Sequence, residues 1–116
     1  MAASGMPSFF ETLMAQSKVQ ANEFSFYLGH HSDGTANNSE LVLGGQNPNK
    51  FTGTPTTFPV SSDIDWALEL DAIQVNNGHS SVEYALLGDA LLKAYYTIFS
   101  YDSADGKPGI SFAKAI

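Results

Sequence analysis

The chain contains no cysteine and no arginine, and charged residues make up only 15% of its 116 positions. The missing thiols exclude disulfides, thiol nucleophiles and thiolate metal sites. They leave the compartment open, because a cysteine-free fold is stable in oxidising and reducing surroundings alike. Five scattered lysines face twelve carboxylates, for a formal charge of −7. No basic stripe exists to follow a phosphate backbone or an anionic bilayer, so neither nucleic acid nor a membrane is an expected partner. Long apolar runs are lacking too: nothing approaches the roughly 18 residues of a spanning helix. No residue pattern points to a cofactor. Residues 1–6 have no basic n-region and no apolar h-region, and read as a leader or ragged end rather than a signal peptide.

What the chain does have is bulk. Hydrophobic residues reach 43%, with eight Phe, five Tyr and one Trp. A domain of this size buries roughly two-thirds of the surface its unfolded chain exposes, so residues 7–116 are expected to fold as one β-rich domain. Ser8-Phe9-Phe10-Glu11 has capping-box spacing, in which hydroxyl and carboxylate each satisfy the other residue's backbone N–H. Phe9, Phe10, Leu13 and Met14 then form one apolar stripe, predicting a helix that ends near Ser17.

Strands follow. Phe24, Phe26 and Leu28 alternate with Ser25 and Tyr27, and residues 39–43 form a second strand stopped by Gly44-Gly45. Residues 54–60, interrupted by proline, suit a sheet edge. Residues 64–75 give the clearest alternation: Ile64, Trp66, Leu68 and Leu70 on one face, Asp65, Ala67, Glu69 and Asp71 on the other. The phase slips at Ala72, predicting a bulge, and Asn76-Asn77-Gly78 predicts a turn linking residues 76–83. Residues 84–87 read as a short strand, Asp89 as the cap of a short helix near residues 89–94. Residues 95–101 and 109–113 read as a closing hairpin across residues 103–106.

Few constellations carry chemistry. His30, His31 and Asp33 form a metal candidate, but adjacent residues on an extended chain point to opposite sides, and a solvated loop accounts for the cluster. His79 stands alone beside a turn. Asp65, Glu69 and Asp71 share a strand face with Asp63 nearby, a pattern that a solvated face produces without acid–base chemistry. No Gly-x-Ser-x-Gly elbow accompanies the serines, and Gly44-Gly45 lacks a phosphate-loop context. Asn37-Asn38-Ser39 is a glycosylation sequon at Asn37.

Two ordered blocks resemble pepsin-type aspartic proteases. Phe24-Ser25-Phe26-Tyr27-Leu28, Glu40-Leu41-Val42-Leu43-Gly44-Gly45, Phe51-Thr52-Gly53 and Trp66 with Leu70-Asp71 are similar to that family's F-S-x-Y-L, E-L-x-x-G-G, Y-T-G and W-x-x-x-L-D segments. Leu86-Leu87-Gly88-Asp89, Tyr95-Tyr96-Thr97-Ile98-Phe99 and Phe112-Ala113 are similar to its carboxy-terminal I-L-G-D, Y-Y-x-V-F and F-A segments. The resemblance implies an antiparallel inter-lobe sheet platform, and a secreted or vacuolar setting. The family's chemistry needs two carboxylates sharing one proton, each in an Asp-Thr-Gly or Asp-Ser-Gly motif. Neither tripeptide occurs in the sequence. Asp33-Gly34-Thr35 has the letters in another order. No catalytic residue is therefore expected, and Ser8, Glu11, Trp66 and Asp89 are expected to be structural.

Three roles remain open: a catalytically silent β module with a structural or partner-binding role; an endopeptidase component that gains its aspartates from another chain or protease lobe; and a carbohydrate- or small-ligand module using exposed Tyr and Trp66. Without lobes to cover the platform, Phe24, Phe26, Tyr27, Tyr95, Tyr96, Ile98 and Phe99 are expected to leave apolar surface exposed. A homodimer is the expected consequence, with face-to-face sheet packing preferred over edge pairing.

Overall fold

The computed structural model describes residues 5–29, 38–63, 65–71, 73–75, 78–80, 86 and 88–116. The chain opens with helix α1 (Phe9–Ala15). The capping box forms as its spacing predicts: the Ser8 N–H donates to Glu11 Oε2 at 2.6 Å, and the Glu11 N–H donates to Ser8 Oγ at 3.2 Å. Gln16 is the C-cap, and Ser17 turns the chain away at φ 54°.

Strands β1 (Glu23–Tyr27), β2 (Glu40–Leu43) and β3 (Phe51–Pro59) come next, with a 3-10 turn over Pro48–Lys50 before β3. A short antiparallel ribbon, β4 (Ile73–Val75) and β5 (Gly78–Ser80), stands apart from the main sheet. Helix α2 (Asp89–Ala94) leads into β6 (Tyr95–Ala104) and β7 (Lys107–Ala115). The main sheet is five-stranded, in the order β2-β1-β6-β7-β3, and each pairing is antiparallel. The fold is mainly β, as expected. Asp105 and Gly106 sit at φ 55° and 80°, between paired Ala104 and Lys107. Two left-handed residues in a row match the right-handed twist of the flanking strands, and an Asp-Gly pair tolerates them best. β3 lies at an edge, where its prolines are harmless to the ladder.

Opposed residues of an antiparallel pair share a face, so the register separates two unlike surfaces. One carries Phe24 opposite Phe99 and Phe26 opposite Thr97, flanked by Leu43 and Leu41. The other carries Ser25 opposite Ile98, Ile98 opposite Ser111, and Tyr96 opposite Ala113. On this second face Tyr96 is fully buried and packs with Tyr27, Ile98 and Phe51. Its hydroxyls are bonded rather than stranded: Ser25 Oγ donates to Gly45 O at 2.7 Å, and Thr57 Oγ1 lies 2.7 Å from Ser111 Oγ. Satisfied hydroxyls are tolerated in such a layer where bare ones would cost a few kcal/mol each. Tyr27, Tyr96 and Ile98 are thus buried already, and do not add to the exposed apolar surface expected from the sequence.

Three expectations need correction. Residues 65–71 are not a strand, despite their alternation. They run as an irregular strap, held where the Ser61 N–H donates to Ala67 O at 2.8 Å and the Ala67 N–H closes on Asp65 O at 3.0 Å. Alternation marks a half-buried extended segment, but a strand needs a ladder partner, and none of the described strands lies beside this one. Asp89 does not cap α2. Gly88 takes the cap position and no side chain bonds the first turn, while Asp89 is the first helical residue and pairs with Lys93 at 3.5 Å. Of residues 84–87 only Leu86 is described, and it is 97% exposed and outside any strand. The expected bulge at Ala72 lies outside the described residues, as do Asn76 and Asn77 of the expected turn.

Replacing Asp89 by Ala is expected to cost only a few tenths of a kcal/mol, the contribution of an exposed i,i+4 pair and a first-turn carboxylate. Urea melts of both proteins should nearly superimpose; a loss near that of a true cap would restore the capping role.

Candidate functional site

The aromatic face is where the structure gathers its largest side chains. Phe24 and Phe99 stack across β1 and β6 with centroids 5.1 Å apart and planes 13° from parallel. From above, α1 lowers Phe10 onto Phe24 at 5.1 Å and Tyr101 at 5.9 Å. The strap lowers Trp66 beside them, edge-on to Phe24, Phe99 and Tyr101 at 5.8, 5.3 and 5.2 Å. Edge-to-face contacts of this kind add about 0.5–1.5 kcal/mol each beyond area burial.

Between this cluster and β2 runs an open groove of about 310 Å³. Phe9, Phe10 and Ser8 of the α1 end form one wall, and Leu41 and Leu43 form the other. Phe24, Phe26, Trp66 and Tyr101 make the floor and its far end. Among the described residues, every lining side chain is apolar, aromatic or a hydroxyl, and none is a carboxylate. Trp66 is half-buried, as an anchor of the cluster, while Leu70 is exposed rather than packed beside it.

The titratable groups near the sheet behave differently. Bonding to the Ser8 backbone N–H holds the Glu11 carboxyl below its ordinary range. Burial, and then the charge of Asp102, pushes the Glu23 carboxyl up. Burial and then Glu11 push the Tyr101 phenol up. Asp102 is held by Asn22 Nδ2 at 3.4 Å and Ser100 Oγ at 3.2 Å. Glu23 lies opposite Ser100 on the hydroxyl-rich face, away from the groove, and Ser100 is one of the residues that bond Asp102.

Ser8, Glu11 and Trp66 therefore meet at or beside the groove, while Asp89 lies elsewhere. Asp63, Asp65, Glu69 and Asp71 do not assemble an acid–base pair: Asp65, Glu69 and Asp71 are exposed on the strap, and Asp63 is exposed before it. Among the described residues no three His, Asp or Glu side chains converge as a metal site. His30, His31, Asp33, Gly34, Thr35 and Asn37 lie outside the described residues, and so does the His79 side chain. Sequence reading missed Phe10, Tyr101 and the β2 leucines as one surface, because only the register brings them together.

The family model for eukaryotic aspartyl protease matches residues 1–85. The chain belongs to that family. It is 35% identical over 77 residues to cathepsin D of Clupea harengus, covering 66% of this chain and 19% of that protein. It is 39% identical over 83 residues to pepsin-2B of Gadus morhua, covering 72% of this chain and 25% of that one. Cathepsin E of Mus musculus is 38% identical over 77 residues, with 66% and 19% covered. The matched region thus spans a fifth to a quarter of the length of these relatives. The five-stranded sheet is the expected pepsin-like platform.

Two predictions follow from the site's geometry and charge. Trp66→Ala should cost about 2–4 kcal/mol, below or within the range for deleting a fully buried Trp because the ring is half-buried; a melt unchanged from the parent's would mean that the strap does not anchor the face. Protonation supplies the second test. Glu23, with its value raised, disfavours the fold as pH climbs through the window just above the ordinary carboxylate range. Glu11, with its value lowered, contributes above that range and is lost as pH falls through the lowered value. Glu23→Gln should therefore be more stable than the parent at pH 7, and Glu11→Gln less, with both differences shrinking in acid. Denaturant titrations across pH check the opposed signs.

Proposed function

We propose that this chain is a catalytically silent β module of the aspartyl protease family, with a structural, partner-binding role. The observation that carries this reading is the groove on the aromatic face: among the described residues it is walled by Phe, Leu and Trp, and none of those lining it is a carboxylate. A shared-proton dyad needs two carboxylates held together around a water. The absence of Asp-Thr-Gly and Asp-Ser-Gly from the sequence supports the same reading. An apolar, aromatic concavity instead suits burial of another apolar surface.

A second reading draws on the match covering only 19–25% of the three relatives named above. In it, the sheet completes an endopeptidase whose aspartates come from a separate chain.

The test is peptide cleavage by the purified chain from about pH 2 to 6, where a shared-proton dyad operates, with and without a pepstatin-like inhibitor. No cleavage is expected, and no change in Trp66 emission with inhibitor. Inhibitor-sensitive cleavage that disappears when one Asp is changed overturns the proposal. Activity that arises only on mixing with a chain containing the aspartates supports the second reading.

A further inference from the structure

We propose that β2 is a dimer edge: two copies pair β2 against β2, antiparallel, about a two-fold axis beside Val42. The proposal rests on the partner-binding reading above and names the partner as a second copy of this chain.

The two edges of the main sheet are unlike. On β3, Pro55 and Pro59 remove donors, Gly53 lies at φ 77°, and the register with β7 shifts between Thr52 and Thr56. Prolines, bulges and kinks are how sheets blunt an edge against further pairing. β2 has none of them. Glu40, Leu41, Val42 and Leu43 pair with β1 in unbroken register, and Leu41 and Leu43 stand 52% and 43% exposed. Among the described residues no strand lies on the outer side of β2.

The ladder fixes which groups face outward. The Gly44 N–H donates to Glu23 O at 2.8 Å. Hydrogen-bonded and non-hydrogen-bonded positions alternate along an antiparallel strand. Val42 and Glu40 therefore also turn their amides to β1, and Leu41 and Leu43 turn theirs away from it. Only one register about a two-fold axis sets each leucine opposite a leucine of the other kind. Leu41 exchanges N–H and C=O with the partner's Leu43, Leu43 does so with the partner's Leu41, and Val42 opposes its own copy.

This register agrees with the side chains. Opposed residues share a face, so the exposed leucines meet in two cross-strand pairs on the aromatic side, where both line the groove. The two grooves then adjoin across the axis. Glu40 comes opposite the partner's Gly44, so no like charges are directly opposed. Face-to-face packing, expected from the sequence, competes with α1 and the strap, which already cover the Phe24–Phe99 centre of that face.

Four ladder bonds and four leucines make a small interface, of the class below about 1,200 Å² that is weak or transient. Dissociation constants on the order of 10–100 µM are expected. Each copy carries −7, so salt strengthens association as it shortens the screening length towards 8 Å.

The sequence has no cysteine, so a single introduced thiol reports on one position. Val42→Cys places two thiols at a non-hydrogen-bonded pair with Cα atoms about 4.5 Å apart, within disulfide reach. Mild oxidation at about 100 µM, near the expected dissociation constant, should give a disulfide-linked dimer much faster than Thr54→Cys on the opposite edge. Sedimentation of the unaltered protein should show a monomer–dimer equilibrium that tightens with salt, and Leu43→Lys should weaken it at least tenfold while keeping the parent's circular dichroism. Equal cross-linking at both edges, or a dimer indifferent to Leu43→Lys, overturns the β2 edge. So does a monomer at about 100 µM in both low and high salt, which would leave the non-catalytic reading standing; peptide cleavage would overturn that reading and not the edge.

Discussion

The stack of Phe24 on Phe99 is the contact on which the rest of the structure depends. It joins β1, near the start of the chain, to β6, near its end, and everything above the aromatic face is arranged around it. Phe10 reaches it from α1, and Trp66 from the strap. Neither element has a ladder to hold it in place. Each is short and irregular at its ends, and a helix of seven residues is too short to persist on propensity alone. The rings that α1 and the strap insert seat them on the face, with the Ser61–Ala67 hydrogen bonds also holding the strap. Removing the stack would thus loosen segments that share no backbone bond with either phenylalanine.

The two faces of the sheet solve their burial in different ways. On the aromatic side, large rings meet at edge and face, and the surface thins into an open groove toward β2. On the other side, small hydroxyl residues let neighbouring segments approach closely, and polar anchors close the gaps. The Tyr27 hydroxyl donates to Ile116 O at 2.6 Å while Lys50 lies 4.8 Å over its ring, and the Asn47 N–H donates to the Tyr96 hydroxyl at 2.8 Å. One face is bonded shut and the other is open on one flank. That asymmetry is what turns a sheet platform into a surface with a direction.

Much of this was legible in the sequence where the determining contacts are local. The closing hairpin formed, but with longer strands and its turn tightened from residues 103–106 to Asp105-Gly106. The Ser8–Glu11 box and the proline-marked edge of β3 depend on residues a few positions apart and formed as read. The strap did not, because alternation at Trp66, Leu68 and Leu70 records only that an extended segment is half-buried. Whether it joins a ladder depends on what runs beside it, and that is a property of the whole fold. Asp89 was misjudged for a related reason: a carboxylate before an apolar run looks like a cap, but the backbone put Gly88 there and gave Asp89 to Lys93. The groove was illegible altogether. Its walls come from α1, β1, β2, the strap and β6, and no spacing in the sequence links them.

The position of the β6–β7 hairpin bears on how the chain reaches this arrangement. These strands come last in sequence yet occupy the middle of the sheet, between β1 and β3. Until they arrive, β1 lacks its inner neighbour, β3 lacks the strand it pairs with, and Phe24 lacks Phe99, although Phe10 and Trp66 precede it in the chain. Sheets closed by such distant pairings form slowly, and their precursors expose sticky edges meanwhile. The middle of the sheet is therefore laid down after both of its flanks, so β1 and β3 each wait for a partner that follows them in the chain.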